Sequence, residues 1–176
     1  MNDLIADVKL SIELEKKGYD FYTQTAKKTN NPLAASTLSS LADRELVHLA
    51  RIKEFYQNLT GEKILASDWL KGVEIYPTKA DLLKVIVEKL KKGLDRKFET
   101  QKDLNDAYLI AEGLEKDSFT LYDKIAAEST DQTAKKFYSA LAQEEKEHFT
   151  ILDETMKYLN DPAEWFKEQE HWIVEG

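Results

Sequence analysis

The sequence predicts an all-α protein: an antiparallel bundle of four long helices with one long crossover connection, assembled from two similar helical hairpins. Three observations predict it. A third of the 176 residues are charged and only six are Gly and three Pro, a profile that favours helix over sheet. Apolar residues recur at steps of three and four along four separate stretches, the period of a helix with one buried face. Residues 11–56 align with 111–156 without a gap and share twelve of 46 positions, so the second half of the chain reads as an internal duplicate of the first.

The first helix is expected over 3–29, where Val8, Ile12, Glu15, Tyr19, Tyr22 and Ala26 share a face. Asn30-Asn31-Pro32 interrupts it, and Pro32 suits the first turn of the next helix, where its missing N–H has no partner to lose. The second helix, over 33–59, sets Leu38, Leu41, Glu45, His48, Ile52 and Phe55 on the same rhythm, and Gly61 ends it. Residues 61–102 form the crossover. Its first part has no clean period, and a short helix is expected after Thr78, carrying Leu82, Leu83, Ile86, Val87 and Leu90. The third helix, over 103–129, aligns Leu104, Tyr108, Ala111, Glu115, Phe119, Tyr122 and Ala126. The fourth, over 131–160, aligns Phe137, Leu141, Glu145, His148, Leu152 and Leu159 between Asp131 and Asp161-Pro162. Residues 1–160 then make one bundle domain. Residues 161–176, with Trp165, Phe166, Trp172, Ile173 and Val174, form an apolar tail expected to pack on the bundle or on a partner.

The chain contains no cysteine, which excludes disulfides, thiol catalysis and cysteine-ligated zinc or iron–sulfur centres within it. A formal charge of −8 without a basic cluster argues against nucleic acid as a partner. No segment is apolar enough to span a bilayer, and the N-terminal residues lack the basic start and apolar run of a signal peptide, so the expected location is cytoplasmic.

The three histidines direct attention to the site. Two of them close the segments LADRELVH (41–48) and LAQEEKEH (141–148), which share the frame Leu-Ala-x-x-Glu-x-x-His. A single Glu-x-x-His on a charged helix is ordinarily a solvated face. Here both copies fall on apolar stripes, and Glu15 and Glu115 fall on the stripes of the partner helices. A glutamate facing a bundle core costs several kcal/mol unless its charge is compensated. Four converging carboxylates would repel one another and be driven to protonate. Two divalent cations would balance them, with neutral imidazoles adding ligands without charge. Glu at i and His at i+3 project to one side of a helix, so each pair can grip one metal while Glu15 and Glu115 bridge or chelate. Oxygen and imidazole ligation suits iron or manganese. Glu13, Glu112, Glu144 and Glu147 read as surface charges, Glu112 lying close enough to the stripe to serve as an extra ligand, and His171 reads as a tail residue outside the site.

One Glu from each of two helices and Glu-x-x-His from each of the others is the arrangement of the ferritin-like dimetal proteins. The frame Glu-x6-Tyr on the first and third helices narrows this: the chain resembles the rubrerythrin branch of that superfamily over roughly residues 3–160. The resemblance implies two iron ions, with manganese an alternative, held by Glu15, Glu45, His48, Glu115, Glu145 and His148. Tyr22 and Tyr122 would be hydrogen-bonded to ligating carboxylates. It further implies reaction of a diferrous centre with hydrogen peroxide or dioxygen, protection against oxidants, a separate electron-donor protein and a homodimer or larger assembly. Two departures stand out. Rubrerythrins carry a further glutamate one turn after the third-helix ligand, where this chain has Ser118, with Gly18 at the corresponding place in the first half. They also usually carry a cysteine-ligated rubredoxin domain. The six-ligand set is closer to the symmetric ferroxidase centre of bacterioferritin, so oxidation and handling of Fe²⁺, or metal binding without turnover, stand beside oxidant reduction as readings.

Overall fold

The computed structural model describes residues 2–61 and 100–175, and among these it contains five helices and no strand. They are α1 (Asn2–Lys28), α2 (Pro32–Thr60), α3 (Gln101–Glu128), α4 (Gln132–Asn160) and α5 (Pro162–Glu175). The crossover, including the helix expected after Thr78, lies outside the described residues. None of the helices is long and apolar enough to cross a membrane.

Local chemistry sets the helix ends, and the two hairpin turns use it identically. At the first, the Asn31 side chain accepts from the Ala34 N–H at 3.1 Å, with Pro32 following it as the first helical residue. At the second, Asp131 accepts from the Ala134 N–H at 2.8 Å. Thr29 and Ser129 tighten the two turns alike, their hydroxyl oxygens accepting from the N–H of Asn31 and Asp131. Gly61 closes α2 with φ 71°, a left-handed conformation that glycine adopts without the strain an L side chain would bring. A reciprocal capping box between Thr100 and Asp103 opens α3.

Turns this short force α1 against α2 and α3 against α4 as antiparallel pairs, and these are the most extensive packings among the described residues. The hairpins then meet antiparallel too. His48 stacks on His148 while Phe55, further along α2, stacks on Phe137, earlier in α4, with ring centroids 4.4 Å apart. Tyr22 reaches Glu115 and Tyr122 reaches Glu15, which orients α1 against α3 in the same sense. The result is the four-helix bundle the periodicity predicts.

One apolar core runs through all four helices. Its membership differs in detail from the predicted stripes. Tyr138, not Phe137, is the fully buried aromatic of α4, while Phe137 packs on it partly exposed; in α1, Leu14 and Phe21 are buried alongside Ile12 and Tyr22. A helix with neighbours on two sides buries a wider arc than a single stripe. Residues 162–175, expected only as a tail, form a helix. Asp161 caps it, and Trp165 docks edge-on against Tyr158 while its indole N–H donates to Glu154 at 2.8 Å. The side chain of His171 lies outside the described residues.

Candidate metal centre

At the middle of the bundle α1 supplies Glu15, α2 supplies Glu45 and His48, α3 supplies Glu115, and α4 supplies Glu145 and His148. None of the six is more than 4 % exposed, so four carboxylates and two imidazoles are withdrawn from water together. One ligand-type atom from each of Glu45, His48, Glu145 and His148 falls within 4.8 Å of the others. Glu15 and Glu115 join this group through the histidines. His48 Nδ1 lies 3.1 Å from a Glu15 oxygen and 3.2 Å from a Glu145 oxygen. His148 Nδ1 lies 3.4 Å from Glu115 and Glu45 and 3.2 Å from Glu145. Both rings therefore turn the same nitrogen inward, and they stack at 5.1 Å with 17° between their planes.

The hydroxyls of Tyr22 and Tyr122 donate across the bundle to Glu115 and Glu15 respectively. Burial, and then the carboxylates they face, push both phenols well above their ordinary pKa, so each remains a donor through the neutral range. Each tyrosine occupies one oxygen of its glutamate and so sets how the carboxylate is turned.

Without cations the charge is met by protons. Burial works against an imidazolium at His48, but Glu145 and Glu15 beside it overcome this and push its pKa up to about 12. His148 is raised by Glu115, Glu145 and Glu45 despite the same burial. Burial and the neighbouring Glu145 push Glu115 up to about 8, and burial and Glu15 push Glu45 well above the usual carboxylate range. Glu145 goes the other way: burial would raise it, but His148 and His48 hold it well below that range.

Protons do not fully satisfy the cluster. Glu145 Oε1 and His148 Nδ1 are buried with no aligned hydrogen-bond partner, although oppositely charged atoms lie within 3.2–3.4 Å. Close but unaligned donors and acceptors suit a set of groups arranged to face a common centre rather than one another. The α1 backbone gives way to them: a Cβ at Gly18 would sit 3.1 Å from Glu45 Oε2, so the glycine makes room for that carboxylate. Four carboxylates and two inward nitrogens fit a pair of divalent, oxygen- and imidazole-seeking cations.

Outside this core the halves diverge. Glu144, read from sequence as a surface charge, reaches across from α4 and places Oε2 2.9 Å from His48 Nε2. Arg51 holds the far side of the same carboxylate, donating to Oε1 at 2.6 Å and Oε2 at 2.9 Å. In the sequence, this residue is marked only by standing opposite Arg44 when residues 111–156 are aligned with 11–56. Glu112 is half-buried with Asp153 and Lys157 as its charged neighbours, and burial raises its pKa. Glu13 pairs with Lys17, and Glu147 is exposed.

A family model described as Rubrerythrin matches residues 8–156, a span that contains all six ligand-type residues and both tyrosines. No curated protein and no solved structure matches the chain.

Proposed function

The chain belongs to the rubrerythrin family, and from that premise we propose that it is a non-haem di-iron oxidoreductase that uses hydrogen peroxide or dioxygen as its oxidant. The observation that carries the reading is the burial of four glutamates and two inward-facing histidines at one point of the bundle core. Glu15, Glu45, His48, Glu115, Glu145 and His148 would hold the metals, iron being favoured and manganese compatible with the same donors. Two ferrous ions there supply two electrons, enough with two protons to convert one peroxide into two waters.

The protein's part is positional and electrostatic. Glu145 lies 3.2 Å from the inward nitrogen of each histidine and would help to hold the metals between them. Tyr22 and Tyr122 keep Glu115 and Glu15 turned by donating to one oxygen of each. The four carboxylates would offset the charge of two divalent cations, and the apolar walls exclude bulk water that would screen them. Electrons for repeated turnover would come from a separate donor protein, since no cysteine is present to build a rubredoxin-type site in this sequence. Family resemblance supports a cytoplasmic homodimer or larger assembly.

A second reading has an observation of its own. Position 118, where peroxide-reducing relatives have a further glutamate, is a buried serine, and six ligands are also what a ferroxidase-type centre uses. Stopped-flow mixing of the anaerobically Fe²⁺-loaded protein with peroxide, then with dioxygen, separates the readings. Oxidant reduction is expected to continue while a chemical reductant is supplied, at constant iron content. Repeated oxidation of added Fe²⁺ with growing iron content would favour the second reading. Neither behaviour would leave a metal-binding protein without turnover.

A further inference from the structure

The His48 and His148 rings present equivalent Nδ1 atoms to the centre, but their outer nitrogens meet different surroundings. His48 Nε2 faces Glu144 at 2.9 Å, and Arg51 grips that carboxylate through two contacts of 2.6 and 2.9 Å. His148 Nε2 is buried and has no hydrogen-bond partner among the described residues. The repeat explains the difference: the counterpart of Glu144 is Arg44, and the counterpart of Arg51 is Ile151. A guanidinium and an alkyl chain cannot accept an imidazole N–H.

We infer that Glu144, braced by Arg51, is a positioning residue for His48, and that the two metal positions are consequently inequivalent, the one served by His48 filling first. The inference rests on the dimetal reading above. A carboxylate that accepts from Nε2–H keeps the proton on that nitrogen, leaves the Nδ1 lone pair facing the centre, and makes it a better donor to a cation. It also fixes the plane of the ring. His148 has the inward nitrogen but not the anchor, so orienting it costs more when a metal arrives. The plainer reading of Glu144–Arg51 is an exposed, solvent-screened ion pair joining two helices. Such a pair would affect melting without touching the ligand.

The test uses the full, metal-free chain and Co²⁺ as probe. Paramagnetically shifted, solvent-exchangeable imidazole N–H signals are followed by proton NMR alongside a binding isotherm. With one equivalent of Co²⁺, wild type is expected to show one dominant N–H signal. Glu144→Ala should weaken the first binding step about 10–100-fold and lose that signal to solvent exchange. Glu144→Gln, whose amide oxygen still accepts, should retain the signal and most of the affinity. Arg51→Ala, which leaves the buried residues untouched, should shift both readouts in the same direction by less, and it decides the matter should Glu144→Ala fold poorly. Two equal N–H signals at one equivalent, or variants that lower only the melting temperature, would overturn the inference while leaving the dimetal reading intact. Failure of wild type to take up Co²⁺ at all would overturn both.

Discussion

The α1–α2 and α3–α4 hairpins put the same residues at the centre of the bundle: Glu15 with Glu115, Tyr22 with Tyr122, Glu45 with Glu145 and His48 with His148. Their contacts correspond as well, each tyrosine reaching the opposite glutamate and each histidine turning Nδ1 inward. One layer further out the correspondence stops. Gly18 stands opposite Ser118, Leu38 opposite Tyr138, Arg44 opposite Glu144 and Arg51 opposite Ile151. Charge accounts for the contrast. Four buried carboxylates and two imidazoles fit a pair of divalent cations, and an unmatched buried carboxylate would stand uncompensated. The surrounding layer has no such constraint, so it is where the two positions can acquire different properties.

The largest expected effect tests the outer layer through the core. Tyr138 packs against Tyr122, Phe55 and Phe137, and its hydroxyl lies 3.2 Å from that of Ser11. Tyr138→Ala should cost about 3–5 kcal/mol in urea unfolding, through the cavity it opens and the hydroxyl contact with Ser11 it removes. Leu38→Ala, at the corresponding place, removes a fully buried side chain without a polar partner and should cost less. Equal losses would mean that the halves are equivalent beyond the centre.

The next effect concerns the centre itself and has a sign. Glu115 is raised to about 8 in the metal-free fold, so its contribution to stability is fully present below its ordinary pKa near 4.5 and is lost as pH rises through 8. His48, raised to about 12, contributes fully below its ordinary value near 6.5 and progressively less above it. Glu145, held low, is already ionised in both states above pH 5 and adds no slope there. The metal-free chain should therefore melt lower at pH 8 than at pH 5, by on the order of a few °C. A cation replaces those protons, so the rise in melting temperature on adding metal should be larger at pH 8. A metal-induced rise that shrinks with pH would contradict the proton-for-metal exchange.

The smallest effect contrasts two glycines. A Cβ at Gly113 in α3 meets nothing within 4 Å, so Gly113→Ala should stabilise the protein by about 0.5–1 kcal/mol from helix propensity alone. Gly18→Ala in α1 gains the same propensity but presses on Glu45, so it should show less gain in thermal melts and weaker metal retention. Matching behaviour of the two variants would remove the role given to Gly18.

These contrasts also show what could be read from the residues alone. The bundle and the six ligand-type positions were legible because the signal was doubled: a Glu-x-x-His on an apolar stripe is ambiguous once, but two copies 100 residues apart, with matching glutamates, imply one buried cluster. Helix ends were legible where a residue has one physical use, as with Pro32 after Asn31 and Gly61 in the left-handed region. Glu144 was not, because its meaning depends on a long side chain crossing from α4 to α2, and its neighbours Glu145 and Glu147 carry the same charge for different reasons. Tyr138 was hidden by Phe137, an equally apolar neighbour one helical step away. The tail's helix is obscured in the sequence because its Trp and Phe cluster without the repeating apolar spacing that a longer helix shows.

Whether the six buried residues hold a pair of metals is decided by metal content. Wild type and Glu145→Ala would be loaded with Fe²⁺ anaerobically, desalted and analysed for iron per chain. Wild type is expected to retain about two irons per chain, the number this arrangement of helical ligands holds, and the variant markedly less, because Glu145 lies against both histidines. A wild-type chain that retains no iron, and no manganese or zinc in the same procedure, would contradict a dimetal site.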